Sequence, residues 1–63
     1  MWWNAMNAYR IYAMTARGRF VGLPEVVECA DDDAAVDSVR ERLRADILEI
    51  WDRARLVARL QPT

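Results

Sequence analysis

Apolar and polar positions alternate most regularly between Tyr9 and Ala16. Tyr9, Ile11, Ala13 and Thr15 fall on one side of an extended chain, and Arg10, Tyr12 and Met14 on the other. That period of two predicts a strand. Arg17-Gly18-Arg19 predicts a turn, because glycine takes the positive φ that tight hairpins need. Phe20 and Val21 resume an extended run, which Gly22 and Pro24 interrupt as a bulge or an edge position does. Val26, Val27 and Cys29 complete a second strand. Ala30-Asp31-Asp32-Asp33 then opens a helix. Aspartate is a good N-cap, and acidic side chains suit the positive end of the helix dipole. Ala35, Val36, Val39 and Leu43 form the apolar stripe of that helix. Asp37, Arg40, Glu41 and Arg44 cover its other side, with Asp37–Arg40 and Glu41–Arg44 expected as i,i+3 ion pairs.

The last third supports two readings. Ile47 to Trp51 and Leu56 to Leu60 have the composition of two strands joined by Asp52-Arg53-Ala54. Yet no Gly or Pro stands between Glu25 and Gln61. Val36, Val39, Leu43, Ile47, Ile50, Ala54, Val57 and Leu60 also fit helical spacing. The favoured expectation is an α+β domain of two β-hairpins flanking one helix (ββαββ), with the helix on one face of an antiparallel sheet. The alternative is an N-terminal hairpin followed by one long C-terminal helix. Residues 1–8 are expected as an N-terminal extension and 9–61 as the single small domain.

The order of these segments resembles a group of small alphaproteobacterial proteins that have no assigned activity. It is carried by the YRIY strand at Tyr9–Tyr12, Gly18-Arg19-Phe20, the VECADDDAAVDSVR junction at Val27–Arg40, and LEIWDRARLVARL at Leu48–Leu60. The resemblance spans about residues 9 to 60 and implies the two-hairpin fold. It transfers no site residues. The chain departs from the group in lacking a Gly at Asp52-Arg53-Ala54 and a clear helix stop at Arg44-Ala45-Asp46.

Composition narrows the function classes. The chain has 63 residues, no His, no Lys and one Cys. Without a His to activate Cys29, and with three Asp following it, a reactive thiolate is disfavoured; a buried structural Cys is expected. Net charge is −1, so no overall field draws the chain to nucleic acid or an anionic membrane. The apolar fraction is 54%, high for so short a chain. A domain this small buries a smaller share of its surface than a large one. With neither a disulfide nor a metal cluster to help, homodimerisation is the expected support. The lone Cys suits a reducing cytoplasm, and neither a signal peptide nor a membrane-spanning run is read in the chain.

Each candidate for chemistry has a plainer structural reading. Asp31, Asp32 and Asp33 are consecutive, whereas a calcium loop alternates its carboxylates, so capping is the expectation. Arg10, Arg17 and Arg19 with Tyr9, Tyr12 and Phe20 could touch phosphate and stack bases on the first hairpin. That supports an alternative reading as a nucleic-acid-associated regulator. Arg55 and Arg59 are expected to coat the outer sheet face or edge, where charge resists further strand pairing. Trp2 and Trp3 stand close to the terminus. They are read as edge packing, as residues outside a chain that starts at Met6, or as partner anchors, since exposed Trp is a typical hot-spot residue. The leading expectation is a non-catalytic interaction or regulatory module, self-associating, without cofactor, metal or small-molecule substrate. Its candidate interface residues are Trp2, Trp3, Tyr12, Trp51 and Val57.

Overall fold

A computed structural model of the chain describes residues 6–62. Four strands and one helix follow in the order β1 (Asn7–Met14), β2 (Glu25–Cys29), α1 (Asp32–Arg40), β3 (Ile47–Asp52) and β4 (Arg55–Leu60). The strands form one antiparallel sheet in the spatial order β2-β1-β3-β4. This is the two-hairpin α+β fold. The long C-terminal helix is overturned: α1 ends at Arg40, and Ile47 onward is a hairpin.

The strand at β1 starts earlier than its alternation suggested, because Asn7 and Ala8 pair with Cys29 and Glu28 of β2. On its other side β1 pairs with β3, setting Ile11 opposite Ile50 and Ala13 opposite Leu48. Directly opposed residues share a face, so Tyr9, Ile11 and Ala13 lie on one side of the sheet with Val27, Cys29, Leu48, Ile50, Ala58 and Leu60. The helix covers this side. Ala35 and Val39 are its fully buried residues, and they join Tyr9, Ile11, Cys29 and Ile50 in a single core, with Val36 and Val57 packed against it.

Asp31 caps the helix: its backbone is extended, and its carboxylate accepts from the Ala34 N–H at 2.8 Å. The helix ends without a glycine. Arg42 N donates to Val39 O at 2.9 Å and Leu43 N to Arg40 O at 3.2 Å, the tighter three-residue closure common at helix ends. Leu43 therefore falls outside the helical stripe. The two expected i,i+3 pairs are absent from the ion pairs of the described residues. Arg42 instead pairs with Glu25 at the start of β2, and the Arg44 guanidinium donates to the carbonyls of Glu41 and Leu43. Among the described residues no helix is long and apolar enough to cross a membrane.

The β3–β4 turn also manages without glycine. Arg53, the first of its two residues, takes φ = +58°, the one positive φ outside glycine among the described residues. A β-bulge follows: Ile50 opposes Ala58 but Trp51 opposes Leu56, leaving Val57 as the extra residue. Bulges re-aim the side chains beyond them, and this one has a specific consequence. Arg55 faces the helix side with Asp52, while Arg59 lies on the opposite face beside Glu49.

Two substitutions test this account. Ile50→Ala should destabilise the domain by about 2–5 kcal/mol, which takes most of the stability expected for this length; urea unfolding should show little or no folded baseline. Arg53→Gly should raise stability by roughly 0.5–1 kcal/mol, because glycine removes the left-handed strain; a lower urea midpoint would contradict the turn geometry.

Candidate functional site: the open face of the sheet

The covered side of the sheet also carries a polar cluster. The Tyr9 ring is fully buried, and its hydroxyl reaches the first turn of α1, donating to Asp32 Oδ1 at 2.8 Å. The Asn7 amide donates to the same hydroxyl at 3.3 Å. Arg55 clamps the Asp32 carboxylate with both arms, Nη1 to Oδ2 at 2.9 Å and Nη2 to Oδ1 at 3.1 Å, and Nη2 also reaches Asp52 Oδ2 at 3.0 Å. The Arg55 guanidinium, followed by the Tyr9 hydroxyl, holds the Asp32 carboxyl below its ordinary range, against a small opposing effect of burial. At Tyr9 the Asn7 hydrogen bond favours the phenolate. Burial and the neighbouring Asp32 together outweigh it and push the phenol up. The two carboxylates likewise raise Arg55. A carboxylate so fixed on an arginine is a poor proton shuttle, and the cluster reads as a tie between β1, α1 and β4.

Sequence reasoning offered Tyr9 as a stacking platform. The structure corrects this, since a ring sealed beneath the helix is closed to any base. Arg55, expected on the outer face or edge, lies on the edge strand β4 but on its helix side, where it meets Asp32. The role of Asp32 was hidden in the acidic run: Asp31 caps the helix and Asp32 receives the tie.

Among the described residues no helix lies over the other face of the sheet, and register places three cross-strand rows there. One runs Val26, Arg10, Trp51, Leu56 across all four strands. A second runs Tyr12, Glu49, Arg59. The third sets Phe20 and Met14 beside Ile47. Tyr12 and Trp51 thus occupy the two central strands. Phe20 packs on Tyr12 with ring centroids 5.7 Å apart and planes tilted at 54°. The Trp51 indole N–H donates to Glu49 Oε1 at 3.0 Å, and Arg59 approaches Glu49 Oε2 at 3.6 Å. A shallow cavity of about 290 Å³ opens between Tyr12, Phe20, Glu49, Trp51 and Arg53.

Of the expected interface residues, the structure brings Tyr12 and Trp51 together on this face. Val57 does not join them; it is the bulged residue and packs against the core. Trp2 and Trp3 lie outside the described residues. Phe20 is a member of the face that had been weighed only as a stacking ring. Cys29 is buried, and among the described residues no group of three His, Cys, Asp or Glu side chains is arranged to hold a metal ion. No family model, curated protein or solved structure matches this chain.

The tie makes stability depend on pH at both ends. Asp32 is lowered in the fold, so its contribution is present above the ordinary carboxylate value near 3.8 and is lost as pH falls through the lowered value. Tyr9 is raised, so its contribution is present below 10.0 and is lost as pH rises through the raised value. Urea midpoints measured across pH should therefore drop at both extremes. Asp32→Asn should flatten the acid limb, and Tyr9→Phe the alkaline one.

Proposed function

We propose that the chain is a small, non-catalytic interaction module that self-associates through the open face of its sheet. The observation that carries this reading is the placement of Trp51 and Tyr12 at the centre of a face that no described helix covers, flanked by Val26 and Leu56, which remain 60% and 45% exposed. Large aromatic side chains at the centre of a patch, with charged residues around them, are what protein interfaces use. The sheet edges are less suited. Glu25 and Glu28 stand on β2, while β4 carries Arg55, Arg59 and a bulge, devices that discourage strand addition. A face-on, two-fold arrangement of two copies fits these features better than an extended sheet.

A second reading, a nucleic-acid-associated regulator, draws on Arg10 opposite Trp51 and on the Tyr12–Phe20 pair, all on the same face. Glu28 and Glu49 share that face and repel phosphate, so this reading stands behind the first.

Light scattering after size exclusion should give about twice the 7.3 kDa chain mass, and Trp51→Arg should return it to one chain mass with the fold intact. A monomer at all concentrations would refute self-association. Retention of a single-stranded oligonucleotide at low salt, abolished by Arg10→Ala with Arg19→Ala, would favour the second reading.

A further inference from the structure

We propose that the open faces of two copies pack about a two-fold axis parallel to the strands and midway between β1 and β3, so that Arg10 of each copy lies over Trp51 of its partner. This deepens the self-association reading and rests on it. The central cross-strand row of the face runs Val26, Arg10, Trp51, Leu56 from β2 to β4. In chemistry it reads aliphatic, cation, aromatic, aliphatic. A two-fold axis so placed keeps position along the strands and exchanges the lanes, β1 with the partner's β3 and β2 with the partner's β4. Arg10 therefore falls on the partner's Trp51 and Val26 on the partner's Leu56, and each contact is made twice.

Every contact in this arrangement joins groups that suit one another. Val26 and Leu56 remove exposed apolar area from water. A guanidinium over an indole face is a cation–π contact, strongest where water is excluded. Arg10 is absent from the ion pairs of the described residues. Glu49 stands beside the receiving ring. Its Oε1 takes the Trp51 N–H at 3.0 Å, while its Oε2 is 3.6 Å from Arg59, beyond hydrogen-bond length. The partner's Glu49 thus adds a carboxylate beside the ring, which offsets part of the cost of drying Arg10. In the next row the same axis sets Tyr12 on the partner's Glu49, a phenol donor on a carboxylate.

Other placements fail on the same residues. An axis across the strands through this row lays each strand on itself and presses Arg10 on the partner's Arg10, which like charges resist. Moved half-way to the next row, that axis sets Leu56 against the partner's Arg59. An axis along the strands but centred on β1 again pairs Arg10 with Arg10, and one centred on β3 leaves β2 with no strand above it. The midway axis lays four strands on four, the aligned arrangement in which sheets pack face to face.

The test is cross-linking of mixed variants in a Cys29→Ala background, which removes the buried native thiol. Val26→Cys and Leu56→Cys chains are prepared separately, then mixed and treated with a bis-maleimide linker that spans the roughly 10 Å between packed sheets. Covalent dimer is expected from the mixture and little from either chain alone. The midway axis holds the two Val26 three strand spacings apart sideways, about 14 Å, and the two Leu56 likewise. A second measurement keeps Cys29 and compares dissociation constants of Arg10→Gln and Trp51→Leu chains, each alone and mixed. Each variant homodimer lacks both Arg10–Trp51 contacts, whereas the mixed dimer regains one. It should be tighter than the geometric mean of the two homodimers by roughly 2- to 30-fold; an Arg10–Trp51 contact within one chain gives no such gain. Cross-linking of either cysteine chain by itself would overturn this axis and leave self-association standing. So would the absence of both the mixed cross-link and the gain on mixing, in a chain that light scattering shows to be dimeric. A monomer at every concentration would overturn both.

Discussion

The antiparallel register that sets Ile11 of β1 opposite Ile50 of β3 governs the rest of the molecule. These are the two central strands, and their shared inward face is the floor on which α1 packs. A nine-residue helix is about 13 Å long, enough to cover one face of a short four-stranded sheet and no more. Once Ile11 and Ile50 point at Val39, alternation sends Arg10, Tyr12, Glu49 and Trp51 to the other side. The open face is the necessary counterpart of the core.

A core of this size leaves polar groups near its margin, and the fold satisfies them by joining elements. Tyr9 supplies a buried ring and a hydroxyl that emerges at the helix start, where Asp32 receives it and Arg55 neutralises the carboxylate. Strand, helix and final hairpin are linked through one aspartate. Among the described residues no buried side-chain polar atom lacks a partner, consistent with the cost of leaving such groups unpaired. The same arrangement engages both Asp32 and Asp52 with Arg55.

On the sheet, aromatic rings sit among charged residues that are partly paired with one another, as in the Glu49–Arg59–Trp51 group. Phe20 packs on Tyr12 at the border of the face and is itself largely exposed.

Much of this was legible in local patterns: the alternation of β1, the glycine turn at Gly18, the Asp31 cap and the strand composition of Ile47–Trp51 and Leu56–Leu60. Tyr12 and Trp51 followed from the same patterns. Period, caps and turn residues are set within a few positions of one another, so the sequence alone determined the elements and their succession. It did not determine where the helix stops, because Val36 to Leu60 fits helical spacing as well as it fits strands; pairing of β3 with β1 decided that. Nor did it determine that Tyr9 is sealed while Tyr12 is open, or that Arg55 and Arg59 part company. Those outcomes depend on which side of the sheet α1 settles against and on a bulge at Val57. Both arise only when residues distant in the chain compete for the same buried space.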